Sequence, residues 1–206
     1  DNDATRTARA VVVALLGAGV RDVVVAPGSR SAPLSFAVWD AAAAGLLRLH
    51  TRIDERSAAF LALGLTKVGA RAAVVCTSGT AVANLHPAVL EAHHSGVPLI
   101  VLTADRPAEL RGIGSNQTTV QPGIFGELVR ADWDVPAPTG APGEREDART
   151  LAALAVRASA EGPVHLNLAY REPLSGSIHV PDPIDAAPAL DDAPAAPRQT
   201  LDLVPD

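Results

Sequence analysis

Four short apolar runs recur along this chain with helix-length segments between them: Asp22-Val23-Val24-Val25-Ala26, Ala72 to Cys76, Val97 to Thr103, and Val164-His165-Leu166-Asn167-Leu168. A strand reads this way when both of its faces are buried, and helices covering a parallel sheet on either side produce that situation. Leu47 to Arg52 reads as another strand, and Val129 to Val135 is a candidate further one. The intervening helices are read over Thr5 to Gly19, through Leu34, Phe36, Ala37 and Val38 to near Gly45, from Glu55 to about Gly69, from Ser78 to about Ser95, and through Ala148 to Ala160. Glycines at 17, 19, 45 and 69 stand at the expected helix ends. Strands alternating with helices in this order predict an α/β domain built on a mainly parallel sheet.

The length of 206 residues fits one domain with a tail, and 48% hydrophobic content is ample for its core. Ala and Val supply most of that content, against three Phe, two Trp and one Tyr, which favours close-packed layers over an aromatic binding face. A net charge of −6 with no basic stripe argues against nucleic acid as a partner. Cys76 is the single cysteine, so no internal disulfide forms. With no signal-like opening and no apolar run near membrane-spanning length, the expected setting is a reducing cytoplasm without an integral membrane segment. The chain lacks methionine and is read as a processed, trimmed or excised piece. From Glu172 onward seven of 35 residues are proline, in a background of Ala and Asp without periodicity. The expected organisation is therefore a domain over 1–173 and, over 174–206, an interdomain linker or disordered tail leading to further domains.

Common nucleotide and hydrolase motifs fail on inspection. The turn after the first strand, Ala26 to Pro33, lacks the three glycines of a dinucleotide fingerprint, and no P-loop occurs. Ser78 sits at a strand-to-helix turn, but a nucleophile elbow needs glycine where Cys76 and Thr80 stand. His93 and His94 are adjacent rather than spaced to share a helical face, so they are read as surface or packing residues, and no metal site is expected.

Two features remain at the edge of the sheet where ligands bind in such folds. Arg52-Ile53-Asp54-Glu55-Arg56 places a carboxylate at a strand-to-helix junction, ahead of a helix too apolar to be a solvated face, so Glu55 is expected to start a buried helix. Thr77-Ser78-Gly79-Thr80 forms a glycine-containing turn after the next strand. Together they suggest an acid beside a backbone pocket.

These segments, with Ala-Pro-Gly-Ser-Arg-Ser-Ala-Pro-Leu from Ala26, Val-Pro-Leu-Ile-Val-Leu-Thr-Ala-Asp-Arg-Pro from Val97 and Gly-Ser-Asn-Gln-Thr from Gly114, occur in an order that resembles one family. It is similar to the N-terminal domain of the thiamine-diphosphate-dependent 2-succinyl-5-enolpyruvyl-6-hydroxy-3-cyclohexene-1-carboxylate synthases of menaquinone biosynthesis, over roughly Thr5 to Pro173. The Glu and Ser-Gly-Thr features alone indicate the wider thiamine superfamily, and the Pro-Gly-Ser-Arg and Arg-Pro…Asn-Gln segments narrow it.

The resemblance implies a pyrimidine-binding domain with three α/β/α layers and a six-stranded parallel sheet. It implies a transferase that decarboxylates 2-oxoglutarate and adds the succinyl-semialdehyde carbanion to isochorismate. By carry-over, Glu55 is the catalytic acid that hydrogen-bonds the aminopyrimidine ring nitrogen of the cofactor, and Ser78 and Gly79 shape the backbone beside it. Ser29, Arg30, Arg106, Asn116 and Gln117 match positions lining the isochorismate side, where guanidinium forks and amide donors suit a dicarboxylate. The plainer alternatives are surface ion pairs for the two arginines, turn hydrogen bonds for Asn116 and Gln117, and an ordinary first-turn acid for Glu55. The resemblance further implies that a separate C-terminal domain holds the diphosphate and Mg²⁺, that the complete site forms between subunits of a homodimer or homotetramer, and that this chain alone is inactive. Another thiamine-dependent decarboxylase or ligase, and a non-catalytic binding module of the same fold, are the alternative readings.

Overall fold

The computed structural model describes residues 2–175. Helix α1 (Asp3–Gly17) leads into β1 (Asp22–Val25), α2 (Ala32–Ala43), β2 (Arg48–Thr51), α3 (Glu55–Lys67) and β3 (Ala72–Cys76). Two helices follow, α4 (Thr80–Ala83) and α5 (His86–His94), then β4 (Ile100–Asp105), a long irregular segment, β5 (Asp132–Val135), α6 (Glu144–Ala158) and β6 (Val164–Ala169). The six strands form one sheet in the order β2-β1-β3-β4-β6-β5, and every pairing is parallel. The predicted α/β sheet of about six strands is what forms. Most of the predicted tail lies outside the described residues.

The alternation of side chains along each strand sorts the core into two layers. Val23 and Val25 of β1, Val75 of β3 and Leu102 of β4 pack with Val11, Leu15, Leu34, Val38 and Ala152 of α1, α2 and α6. Val24, Val74 and Val101 face the other way, against Ala58 and Ala62 of α3, Val82 of α4 and Val89 of α5. The interior strands β1, β3, β4 and β6 are buried throughout, whereas the edges β2 and β5 are partly exposed.

Among the differences from the sequence reading, three are boundaries and one is a matter of burial. The helix expected over 78–95 is two, because Pro87 near the start of α5 has no N–H to continue the ladder from α4. Strand β4 starts at Ile100 rather than Val97, beyond Pro98, and runs on to Asp105. Helix α6 starts four residues before Ala148, where Glu144, Glu146 and Asp147 supply the negative charge a helix N-terminus favours. Helix α3 is not enclosed: it buries Ala58, Ala59, Ala62 and Leu63, but Phe60 is 41% exposed. Its alanine face fits closely on β1 and β3, and among the described residues nothing covers the opposite side.

The chain runs from β1 outward to β2, then returns past β1 to β3 and onward to β4. That reversal makes the carboxyl ends of β1 and β3 a topological switch point, where a crevice forms in open α/β sheets.

Candidate functional site

The turns that leave β1, β2, β3 and β4 at this edge carry Ser29 and Arg30, Glu55, Ser78 and Gly79, and Arg106 respectively. Glu55 is the first residue of α3, set there because Asp54 caps the helix, its carboxylate accepting from the Ser57 N–H at 2.7 Å. That backbone hydrogen bond holds the Asp54 carboxyl below its ordinary range. Glu55 is half-buried. Its neighbour across the edge is Cys76, the last residue of β3, whose thiol is pushed well up, chiefly by complete burial and also by the Glu55 carboxylate. Cys76 therefore stays a neutral packing residue.

Beyond Cys76, Ser78 is buried and works as a hub. Its Oγ accepts from Arg106 Nη1 at 2.6 Å and donates to the Gln117 carbonyl at 3.1 Å. Arg106 Nη1 also donates to that carbonyl at 2.7 Å, and Gln117 Nε2 returns a hydrogen bond to the Ser78 carbonyl at 3.2 Å. Gln117 has φ of 52°, the left-handed conformation, which a side chain of its size adopts only when its surroundings impose it. Gly79 lies directly beneath, with φ of 79°, and a Cβ there would meet the Gln117 carbonyl oxygen at 2.7 Å. Glycine at 79 thus serves the close approach of the Gln117 segment.

Arg30 is 8% exposed, so it is not a surface ion pair. Its Nη1 donates to the Tyr170 carbonyl at 2.8 Å, a contact between the ends of β1 and β6, and Nη2 lies 3.8 Å from Glu172. Its Nε is buried without a hydrogen-bond partner. Burial lowers the pKa of Arg30, and the charge of Arg106 lowers it further, while Glu172 and Asp105 act against this. The two guanidiniums are thus neighbours at the edge; that of Arg106 hydrogen-bonds neutral oxygens, while its backbone N–H donates to the Asp105 carboxylate at 2.7 Å.

Ser29 and Asn116 lie at the same edge but are exposed, and the hydrogen bonds they accept there are to backbone carbonyls, from Ala32 N–H and Thr118 Oγ1. Of the predicted residues, then, Ser78, Arg106 and Gln117 form one hydrogen-bonded cluster packed against Gly79, Arg30 adjoins it, and Glu55 stands by the end of β3.

Sequence reasoning missed a polar stripe on the inner face beside this cluster. Thr103 and Asp105 of β4, His165 and Asn167 of β6, and Asp132 and Asp134 of β5 occupy alternate positions in register. Thr103 Oγ1 meets His165 Nε2 at 2.7 Å and donates to Asn167 Oδ1 at 2.9 Å, and His165 Nδ1 meets Asp132 at 3.1 Å. Asn167 Nδ2 donates to Asp105 at 2.8 Å and Asp134 at 2.9 Å. Arg111 closes the array, forking onto Asp134 at 2.7 and 2.9 Å and reaching Asp105 at 2.8 Å. Its pKa is raised, foremost by the hydrogen bond to Asp134, which lowers that of Asp134 in turn. The legible signal was the run Val-His-Leu-Asn-Leu, where two polar residues share one face of an otherwise buried strand.

The donor set suits the pyrimidine end of a thiamine cofactor: a half-buried carboxylate at a helix start, next to a glycine turn and apolar side chains. Among the described residues no group of histidine, cysteine and carboxylate side chains could hold a metal ion, and no helix is long and apolar enough to cross a membrane.

The sequence model of the thiamine pyrophosphate enzyme N-terminal TPP binding domain matches residues 5–125, which include Glu55 and the whole hydrogen-bonded cluster. The chain is 58% identical over 194 residues to a 2-succinyl-5-enolpyruvyl-6-hydroxy-3-cyclohexene-1-carboxylate synthase of a Nocardioides strain, covering 94% of this chain and 33% of that protein. It is 57% identical over 213 residues to the synthase of the same name from Leifsonia xyli, covering 97% of this chain and 35% of that protein. A synthase of that name from Thermobifida fusca is 53% identical over 186 residues, 88% of this chain and 32% of its own length. The chain spans about a third of the length of these curated relatives. With the carboxyl-edge geometry and the matched span in agreement, the chain belongs to the family of N-terminal, TPP-binding domains of thiamine pyrophosphate enzymes.

Proposed function

We propose that this chain supplies the pyrimidine side of the active site in a cytoplasmic, menaquinone-forming transferase that joins 2-oxoglutarate, with loss of a carboxyl group as CO₂, to isochorismate. Thiamine diphosphate supplies the electron sink for decarboxylation when bound. Glu55 holds a hydrogen bond to the aminopyrimidine ring nitrogen from the half-buried start of α3, a fixed acid/base position rather than a nucleophilic one. Ser78 and Gly79 set the backbone beside it. Arg30 and Arg106 take the substrate carboxylates, with Ser29, Asn116 and Gln117 as flanking polar groups.

The observation that carries this reading is the juxtaposition of Arg30 and Arg106 at the switch-point edge, one with a buried, unpartnered Nε and the other with guanidinium Nη1 on two neutral oxygens. Glu172, largely exposed and 3.8 Å from Arg30, and Asp105 offset the paired positive charge only in part, so the two cations favour an anionic ligand there, and guanidinium forks match carboxylates bidentately. The diphosphate and Mg²⁺ are assigned to the part of the relatives beyond the span this chain covers, and the complete site to an interface between subunits of a homodimer or homotetramer.

The test is turnover by the full-length protein supplied with thiamine diphosphate, Mg²⁺, isochorismate and 2-oxoglutarate, with pyruvate as the competing oxoacid. Consumption of both named substrates is expected. Decarboxylation of an oxoacid without loss of isochorismate would assign the chain to a different thiamine enzyme.

A further inference from the structure

The long segment between β4 and β5 crosses the carboxyl edge without regular strand or α-helix, yet Gln117 within it is held in a strained conformation. Something must anchor the segment on either side. Arg111 does so upstream, through Asp105 and Asp134. Downstream the anchor is Gln121, which is wholly buried although its neighbours Val120 and Gly123 are exposed. Its carboxamide is used at both ends: Oε1 accepts from the Gly79 N–H at 2.9 Å, and Nε2 donates to the Ala104 carbonyl at 3.1 Å and to Asn167 Oδ1 at 2.8 Å.

A glutamine in an exposed irregular segment ordinarily points to water, and burying one without partners is unfavourable. Here one side chain ties together the turn after β3, the end of β4 and the polar stripe on β6. The amide it engages belongs to Gly79, the residue whose missing Cβ lets the Gln117 carbonyl come close. Gln121 therefore holds one partner of that approach, Gly79, directly, and is joined to the other, Gln117, by only three intervening residues of chain.

We infer that Gln121 is a positioning residue: its buried carboxamide fixes the Gly79 turn and clamps the segment carrying Gln117 onto it, so that Ser78, Arg106 and Gln117 present one preformed polar face at the sheet edge. This rests on the reading above that the face receives the second substrate. Preformed geometry matters there, since displacing a binding group by about 1 Å can cost two orders of magnitude in rate. Gln121 itself takes no part in the chemistry.

The experiment uses the full-length protein with Gln121→Met, which keeps the length and removes every hydrogen bond, and Gln121→Glu, which keeps an acceptor for Gly79 but loses both donors. Hydrogen-exchange mass spectrometry reads peptides covering 77–80 and 112–120, with α1 and α6 as internal controls. For Gln121→Met, uptake is expected to rise in both test peptides and not in the controls, with KM for isochorismate up by about tenfold or more and kcat within about threefold. For Gln121→Glu, the 77–80 peptide should stay near the parent while 112–120 rises, and KM should fall between the two. If Gln121→Met does not fold, the Gln121→Glu pattern decides alone. Unchanged exchange in both peptides, or a uniform rise that includes the controls, overturns the positioning role, as does altered exchange with unaltered KM. If the parent protein consumes neither isochorismate nor 2-oxoglutarate, the functional reading fails separately, and the exchange pattern still decides whether Gln121 holds the two segments.

Discussion

Gly28, in the turn after β1, packs so closely on Thr77, in the turn after β3, that a Cβ at position 28 would lie 2.5 Å from the Thr77 Cβ and 2.6 Å from its methyl group. The two turns that flank the switch point are thus held in contact by the absence of a side chain on one of them. Ser29 and Arg30 follow directly on one turn, Ser78 and Gly79 on the other. Gly28→Ala is expected to force the turns apart and to destabilise the fold by about 1–3 kcal/mol, the usual range for overpacking. Urea unfolding measures this. Because the clash is with Cβ itself, combining the change with Thr77→Gly should recover part of the loss, and a double variant no better than the single would place the strain elsewhere.

Stability should weaken in acid partly through Asp22. Its carboxylate is buried at the start of β1, which alone would raise its pKa, but hydrogen bonds accepted from Arg48 at 2.6 and 2.8 Å and from His50 at 2.9 Å, with their charges, bring it below its ordinary value. A carboxyl whose pKa is depressed on folding contributes stability above the unfolded value, about 3.9, and loses it as pH falls through the folded value. Asp22→Asn should therefore lower stability at neutral pH and flatten the decline below about pH 4. Arg48 is more than half exposed, so salt should trim the effect. A variant whose acid profile parallels the parent's would remove Asp22 from the transition.

For Glu55, the substitution Glu55→Gln in the full-length protein keeps the shape at the start of α3 and removes the acid. Exchange of the thiazolium C2 proton of bound thiamine diphosphate should slow by about 10² or more, the scale for a positioned proton-transfer group. A rate within about threefold of the parent would mean that Glu55 serves only as a first-turn acid of the helix.

Arg30→Ala and Arg106→Ala, each in the full-length protein, should weaken capture of isochorismate by about 2–3 kcal/mol, as expected for loss of a charge-assisted hydrogen bond. The decarboxylation of 2-oxoglutarate alone should suffer less. Steady-state measurements of the two half-reactions separate the outcomes: an equal fall in both would make the arginines supports of the fold, Arg30 through the Tyr170 carbonyl and Arg106 through Ser78.

The sequence by itself determined the layers and the edge that carries the site. Runs such as Val23-Val24-Val25 and Ala72 to Cys76 have no polar face, so they had to be interior strands, and Asp54 followed by Glu55 marks a helix start because capping and first-turn charge act within a few residues. The break at Pro87 between α4 and α5 was not read, because the apolar periodicity on either side runs on as one helix. Strand order and register were decided only in three dimensions. They bring Arg30 to Tyr170 across 140 positions, lay Thr103 beside Asn167, and place Gln121 under Gly79. Nothing local to Gln121 separates it from an exposed loop glutamine. Its burial depends on three partners from the turn after β3, from β4 and from β6 arriving together, and a hydrogen bond of that kind is fixed by where whole strands pack rather than by the residues next to it in the chain.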